Sequence, residues 1–164
     1  RLVQTLLKLI TLEREIERRP CEVDALFDTV RQNTQKSLAD RGVTLITHSG
    51  GGTLNCNADL IQSLLINLVD NAAKAYDTDA PDKRVFLNFS ADTIEVRDFG
   101  RGIPEEAMGR IFEPFYMADK SRSKKAGGSG LGLALVKRIA NAHDAELTVK
   151  SGVGKGTTVR VRFQ

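Results

Sequence analysis

Cysteine is scarce in this chain of 164 residues, which contains only Cys21 and Cys56. The two thiols lack the spacing of metal ligands and are too few for a disulfide framework, so we expect reduced cysteines in a cytosolic domain. Long apolar runs are also missing, and no signal peptide is visible. We therefore expect no membrane span within these residues.

Neither sign of charge dominates, because 24 Lys and Arg residues are balanced by 21 Asp and Glu residues, for a net charge of +3. Without a basic stripe or an aromatic platform, that excess does not indicate nucleic acid as a partner. With 41% apolar residues, the chain is long enough for one globular domain with a proper core. A local cluster of cations, Lys120, Arg122, Lys124 and Lys125, is either a solvated loop or a set of phosphate contacts.

Hydrophobic periodicity and turn residues predict a mixture of helices and strands. Helices are expected from residue 2 to Pro20, from a cap at Asp24 to about Asp40, from Asn57 or Asp59 to Tyr76, and over 129–143. Strands are expected over 43–47, 53–55, 84–90, 94–98, 145–151 and 157–163, with one or two helical turns over 105–111. Residues 113–127 have the composition of a long mobile loop.

The helix predicted to end near Tyr76 carries polar residues along one edge of its apolar face. At 3.6 residues per turn, Asn67, Asn71 and Lys74 fall together on that edge and would border a pocket. Amide oxygens suit a hard cation such as Mg²⁺, which keeps several waters and shares phosphate oxygens, and Lys74 is placed to reach a phosphate. Taken alone, the same three residues also fit a solvated stripe.

Asp98 ends a predicted strand in which Ile94 and Val96 point the same way, so its carboxylate should face inward beside Gly100 and Gly102. A buried acceptor needs a donor. The exocyclic amine of adenine is such a donor, whereas guanine has a carbonyl at that position, so Asp98 is a candidate for base selectivity. The alternative is an ordinary Asp-x-Gly turn.

Four glycines surround Ser129 in the segment 127–133, just before an apolar helix. Such a run lets the backbone approach phosphates closely, and the first helical turn favours an anion. Other nucleotide motifs do not fit. Lys155 precedes a glycine instead of Ser or Thr, the third glycine of a dinucleotide fingerprint would fall at Leu133, and the segment 98–100 lacks the accompanying protein-kinase motifs.

The order of these motifs resembles the catalytic, ATP-binding domain of a bacterial sensor histidine kinase, within the superfamily of gyrase, Hsp90 and MutL. Five segments carry the resemblance: 67–72, 98–103, 111–116, 128–133 and 154–157. It implies a two-layer α/β sandwich, the Bergerat fold, with a mixed sheet covered on one face by helices. It also implies a catalytic domain over 20–164 with an ATP lid at about 113–127, preceded by residues 1–19 as the end of the dimerisation and phosphoacceptor hairpin.

The resemblance also implies residue roles. Asn71 would hold Mg²⁺, Asn67 and Lys74 would approach the phosphates and act with Asn71 in catalysis, Asp98 would bind adenine, and Thr157 would lie near the base. Further implied ATP contacts are Gly100, Gly102, Ile103, Phe115, Lys120, Arg122, Gly128, Ser129, Gly130, Leu131, Gly132 and Leu133.

The implied activity is transfer of the γ-phosphoryl group of ATP to a histidine on a hairpin outside this chain, in two-component signalling with a response regulator. The fragment would be a monomer and its parent a homodimer. The implied location is cytoplasmic, with the parent anchored in the cell membrane. No acceptor is evident here, because His48 is followed by Ser49 and His143 lies near a helix end, where a partly charged ring would suit the helix dipole.

The sequence departs from the family pattern at three places. Ala75 stands where many relatives have a tyrosine, with Tyr76 one step on, Met117 replaces a commonly basic lid residue, and the pair 144–145 replaces two glycines. Two other functions stay open. A gyrase-like or Hsp90-like ATPase would need a glutamate at Asn67 to activate water, since an amide cannot act as that base. A nucleotide-sensing module without transfer activity needs no change in the motifs.

Overall fold

The computed structural model describes residues 2–12, 15–119 and 128–164. The helices in these ranges are α1 (Leu2–Thr11), α2 (Val23–Arg41), α3 (Ala58–Lys74) and α4 (Gly132–Ala142), with a short 3-10 helix at Glu105–Ala107. The strands are β1 (Arg19–Glu22), β2 (Thr44–His48), β3 (Thr53–Cys56), β4 (Arg84–Ser90), β5 (Thr93–Asp98), β6 (Glu146–Gly152) and β7 (Gly156–Arg162). None of the helices in the described ranges has the length and apolar character needed to cross a membrane.

Five strands form a mixed sheet in the order β2-β4-β5-β7-β6. Only the β2-β4 pair among them is parallel. Alternate residues of the central strands are buried, including Leu87, Val96 and Val159, and they pack beneath the helices, whereas the residues between them face outward. The predicted two-layer sandwich, with helices on one face of a mixed sheet, is confirmed.

Helix α3 lies at the centre of the helical layer. Its apolar face, with Ile61, Leu64 and Leu65 fully buried, packs into the core as the periodicity predicts. Asn57 is its N-cap, because its side chain accepts a hydrogen bond from the Leu60 N–H at 3.1 Å. The core therefore fixes which edge of α3 remains open to a cavity.

The helix that the sequence predicts up to Pro20 is wrong in its second half, since α1 ends at Thr11. Arg19 and Pro20 instead belong to β1, which pairs antiparallel with β3. Pairing with a neighbouring strand outweighs the local helical pattern here, because it satisfies backbone groups that a proline would leave without helical bonds. Strand β1 thus begins one residue before the predicted start of the catalytic domain.

Two predicted helix starts are also wrong. Asp24 does not cap α2, which begins at the buried Val23 after Glu22, and its carboxylate accepts a hydrogen bond from Ser49 instead. Helix α4 begins at Gly132 and not at 129, because Gly130 has a φ of 78° and cannot continue a right-handed helix. The predicted end of α3 at Tyr76 is two residues too late.

His143 is a buried, neutral structural residue. Only 2% of its surface is exposed, its Nε2 accepts the Asn57 N–H at 3.0 Å, and its Nδ1 lies 2.8 Å from the Ile139 carbonyl. Because Nε2 accepts, the ring proton is on Nδ1, and burial lowers the His143 pKa. The expectation of a partly charged ring is wrong. His48, which follows the strand predicted over 43–47, is the last residue of β2.

The two cysteines are free thiols on neighbouring strands. The Cys21 thiol donates to the Cys56 carbonyl at 3.7 Å. Burial, with a smaller effect of Cys21, raises the pKa of Cys56 to about 12, so that thiol stays protonated. The two residues are thus close in space, which their separation in the sequence did not predict.

Candidate nucleotide site

A cavity of about 710 Å³ opens between α3, the turn after β5, and the start of α4. It gathers twelve of the predicted site residues: Asn67, Asn71, Lys74, Asp98, Gly102, Ile103, Gly128, Ser129, Gly130, Gly132, Leu133 and Thr157. These residues come from widely separated parts of the chain. Their convergence on one cavity is the observation that turns separate motifs into a candidate site.

One wall of the cavity is the polar edge of α3. The Asn67 side chain donates through Nδ2 to the Ser63 carbonyl at 2.7 Å, so the direction of its amide is fixed. Its Oδ1 points at the start of α4, where a Cβ on Gly132 would lie only 2.9 Å away. Gly132 therefore leaves room for the Asn67 amide oxygen, which is an acceptor at the point where α4 begins.

Asn71 and Lys74 follow Asn67 along the same edge and also line the cavity. Within the described residues, no group of three His, Cys, Asp or Glu side chains is arranged to hold a metal. Asparagine oxygens are neutral ligands that suit Mg²⁺ when phosphate oxygens and water complete its shell. The donor set therefore fits a magnesium ion that arrives with phosphates, and it does not fit a site built from protein carboxylates.

Asp98 also lines the cavity. Its carboxylate faces inward, as the strand alternation predicts, and only 4% of the residue is exposed. Oδ1 accepts the Gly100 N–H at 2.8 Å, and the carboxylate also accepts the backbone N–H of Thr157 on β7. Burial outweighs these bonds and raises the pKa of Asp98 to about 6. At neutral pH this group is therefore a buried acceptor.

Thr157 is fixed by a hydroxyl cluster that the sequence did not reveal. Ser151 Oγ lies 2.7 Å from the Thr157 hydroxyl, accepts the Ile103 N–H at 2.8 Å and lies 3.0 Å from the Gly156 carbonyl. A serine within an alternating strand carries no local signal of such a role. Its contacts reach residues that only the sheet and the 98–103 turn bring together.

The glycine-rich segment is held against the segment that precedes residue 120. Phe115 donates its N–H to the Gly130 carbonyl at 2.8 Å, and a Cβ on Gly130 would lie 2.7 Å from the Phe115 Cα. Leu131, at the N-cap of α4, gives no side-chain hydrogen bond to the first helical turn. The N–H groups of that turn therefore border the cavity without a side-chain cap.

Several predicted contacts do not line the cavity. Phe115 is 63% exposed with a φ of 67°, and Tyr116 lines the cavity instead. Leu131 is fully buried, and Gly100 packs against the end of α3, where a Cβ would lie 2.5 Å from the Ala75 carbonyl oxygen. Lys120 and Arg122 lie outside the described residues.

Comparison with protein families identifies the group to which this site belongs. The model of the histidine kinase-, DNA gyrase B- and HSP90-like ATPases matches residues 56–164, a range that contains every predicted site residue. The chain belongs to this family. It is a catalytic domain, and the predicted resemblance to sensor histidine kinases is confirmed by named relatives.

Sensor histidine kinase YkoH of Bacillus subtilis (strain 168) is 39% identical over 130 residues, which are 79% of this chain and 28% of YkoH. Signal transduction histidine-protein kinase ArlS of Staphylococcus haemolyticus (strain JCSC1435) is 39% identical over 114 residues, 68% of this chain and 25% of ArlS. The chain thus spans about a quarter of the length of these curated relatives.

Solved structures share the fold. The full-length ShkA structure in complex with AMPPNP matches with a TM-score of 0.78 at 24% identity, over 98% of this chain and 34% of ShkA. The Acinetobacter baumannii histidine kinase AdeS matches with a TM-score of 0.77 at 20% identity, over 99% of this chain and 77% of AdeS. The likeness to these two proteins establishes the arrangement of helices and sheet.

Proposed function

We propose that the cavity binds ATP with Mg²⁺ and that the domain transfers the γ-phosphoryl group to a histidine on a phosphoacceptor hairpin outside these residues. The observation that carries the proposal is that one cavity is lined both by a buried acceptor, Asp98, and by the Asn67 and Asn71 amides with Lys74. An acceptor suits the exocyclic amine of adenine, and the amides and lysine suit phosphates with a cation. Membership of the ATPase family supports the same interpretation.

Asn71 would hold the magnesium ion, and Asn67 and Lys74 would contact the phosphates. The ion would supply charge neutralisation on the transferring group. In the predicted lid, Lys120 and Arg122 would add positive charge. The protein's part is therefore to hold the nucleotide in place and to exclude water, while the acceptor imidazole supplies the nucleophile.

Asn67 argues against the ATPase alternative. Hydrolysis in the gyrase or Hsp90 manner needs a carboxylate to activate water, and the Asn67 amide cannot take a proton. With Nδ2 bound to the Ser63 carbonyl, this side chain serves as an oriented dipole at the phosphate end. Phosphoryl transfer to an external histidine needs no base at this position.

The wider context follows from the same proposal. Helix α1 (Leu2–Thr11), within the predicted segment 1–19, would be the end of the hairpin's second helix, the parent would be a membrane-anchored homodimer, and a response regulator would receive the phosphoryl group. The catalytic domain alone would be a cytoplasmic monomer.

Base selection is tested by replacing the buried carboxylate. Asp98→Asn should weaken ATP binding by about 1–3 kcal/mol, because a matched buried acceptor is lost. Calorimetric titration with ATP and GTP measures the effect, and Asp79→Asn, a change at an exposed loop carboxylate, is the control. Equal affinity of the wild-type chain for ATP and GTP would show that Asp98 does not select the base.

Metal removal tests the role of Asn71. Mg²⁺ should strengthen ATP binding to the wild-type chain, and Asn71→Ala should remove most of that gain, because it deletes the proposed ligand oxygen. The control is Asn33→Ala, which removes an exposed asparagine on α2. Titrations in Mg²⁺ and in EDTA give the comparison, and equal wild-type affinities in the two buffers would contradict the metal site.

A further inference from the structure

Tyr76 is a buried residue behind the cavity, with 9% of its surface exposed. It follows the C-terminal end of α3 and is not among the residues that line the cavity, whereas its neighbour Ala75 is. Its hydroxyl accepts the Phe99 N–H at 2.8 Å and donates to the Arg84 carbonyl at 2.5 Å. The hydroxyl thus joins the turn after β5 to the first residue of β4.

The two bonds of Tyr76 bear directly on Asp98. Phe99 is the residue after Asp98, and the next N–H, that of Gly100, is the one that Asp98 Oδ1 accepts. Of these two consecutive N–H groups, that of Phe99 therefore donates to Tyr76 and that of Gly100 donates to Asp98. Holding the Phe99 peptide sets the orientation of the Gly100 peptide, and that peptide in turn sets which lone pairs of Asp98 point into the cavity.

The same turn is clamped to α3 on its other side. Arg101 donates its backbone N–H to the Ala75 carbonyl and its Nη1 to the Lys74 carbonyl, both at 3.0 Å. No room remains between them, since a Cβ on Gly100 would meet the Ala75 carbonyl. The turn after β5 thus packs against α3, the helix that carries Asn67 and Asn71. Among the described residues, the acceptor of the Phe99 N–H is the Tyr76 hydroxyl.

We propose that Tyr76 is a positioning residue for base selection, which acts by holding the Phe99 peptide so that Asp98 presents its free lone pairs to the exocyclic amine of the base. This inference rests on the proposed function, because it assumes that Asp98 selects adenine. Burial raises the Tyr76 pKa, which keeps the hydroxyl protonated as the donor to the Arg84 carbonyl. Loss of the hydroxyl would leave the Phe99 N–H without this acceptor and free the turn to shift.

The test uses Tyr76→Phe, which keeps the ring and removes only the hydroxyl. ATP affinity should fall about tenfold, the amount expected for one unpaired buried group, and the ratio of ATP affinity to GTP affinity should shrink. The matched control is Thr34→Val, which removes a buried hydroxyl that donates to the Val30 carbonyl at 2.8 Å on α2, away from the cavity. That variant should lose stability and keep the ATP to GTP ratio.

A double-mutant cycle separates positioning from a general loss of stability. If Tyr76 acts through Asp98, Tyr76→Phe should change ATP affinity little in an Asp98→Asn background. Additive effects of the two changes, or a lower melting temperature with an unchanged ATP to GTP ratio, would overturn the inference. Amide hydrogen exchange of the wild-type chain gives a second measurement: the Phe99 N–H should exchange slowly, and exchange at the rate of an open loop would also overturn it.

The two levels of the proposal fail in different ways. A wild-type chain that does not bind ATP would contradict the proposed function, and one that binds ATP and GTP equally would contradict base selection by Asp98. A wild-type chain that prefers ATP, together with a Tyr76→Phe variant that keeps the same preference, would contradict only the role of Tyr76.

Discussion

The proposed role of Asp98 requires a carboxylate that is both buried and charged, and these two requirements conflict because burial destabilises the charge. A carboxylate that reads a base must be buried close to it, and burial penalises its charged form. Its two backbone donors recover only part of that cost, and the pKa remains at about 6 instead of the ordinary 3.8. The exocyclic amine of the proposed nucleotide would supply a further donor, which would favour the charged form of Asp98.

This cost predicts a pH dependence of stability. The pKa of Asp98 is about 6 in the folded state and 3.8 in the reference state, so between these values the folded chain holds a proton that the unfolded chain has lost. The contribution of Asp98 to stability is therefore most favourable below pH 3.8 and falls as the pH rises through 6, by about 2–3 kcal/mol in total.

Urea unfolding at a series of pH values checks the prediction. The free energy of unfolding of the wild-type chain minus that of Asp98→Asn should decrease between pH 4 and pH 7. A difference that stays constant, or that rises with pH, would show that the folded state does not raise the Asp98 pKa.

At the scale of residues, the sequence predicts those site residues that a local pattern reveals, such as strand alternation or helical spacing. Asp98 follows from strand alternation, and Asn67, Asn71 and Lys74 follow from helical spacing. Ser151 does not follow from any local pattern, because its partners are set by tertiary contacts that span 48 residues in the case of Ile103. Hydrogen-bond hubs of this kind are visible only in three dimensions.

At the scale of elements, two glycine-containing turns lock the site's elements together. Gly102 has a φ of 77°, and a Cβ there would lie 1.9 Å from the Gly152 carbonyl oxygen at the end of β6. The Gly154 N–H also donates to the Arg101 carbonyl at 2.8 Å. The turn after β5 and the β6-β7 hairpin therefore meet backbone to backbone, which only glycine permits at position 102.

A strained φ alone costs about 1–3 kcal/mol. Gly102→Ala should lower the free energy of unfolding by more than this amount, because the added methyl group also meets backbone atoms. Gly109→Ala is the matched control, because nothing lies within 4 Å of its added Cβ and its φ is not positive. Thermal and urea unfolding of both variants gives the comparison. Similar stabilities of the two variants would contradict the close approach.

At some element boundaries, tertiary contacts override the local sequence pattern. The β4-β5 hairpin is predicted within one residue, because its turn and its alternating strands are both local signals. The start of α4 is predicted three residues too early, since the left-handed Gly130 is set by its contact with the Phe115 backbone. Likewise the first two residues of β1, Arg19 and Pro20, have the sequence of a helix end and are part of a strand through their pairing with β3.

For the whole molecule, the order of motifs predicts the fold better than any single element does. Five short segments in a fixed order indicate one family, and the family implies the sandwich that the sheet order bears out. That inference needs no correct helix boundary, so the errors at α1 and α4 do not affect it. The placement of Lys120 and Arg122 against the cavity stays a prediction, because those residues lie outside the described ranges.

The histidines of the chain give the last prediction. Of the two, His143 is buried and bonded through both ring nitrogens, and His48 ends β2, so neither is offered as an acceptor beside the cavity. With Asn67 in place of a hydrolytic carboxylate, the isolated chain should bind ATP yet neither label itself nor release phosphate at an appreciable rate.

Activity should return in trans. With labelled ATP and a separately made hairpin from the same parent protein, acid-labile phosphate should appear on the hairpin. The reaction should be slow and dependent on hairpin concentration, because the effective concentration of a tethered partner is lost. Two control reactions should leave the hairpin unlabelled: one uses a hairpin with its histidine changed to glutamine, and the other uses a chain carrying Asn71→Ala. Rapid phosphate release by the chain alone, abolished by Asn71→Ala, would instead assign the domain to hydrolysis, because the same cavity would then be activating water without a carboxylate at position 67.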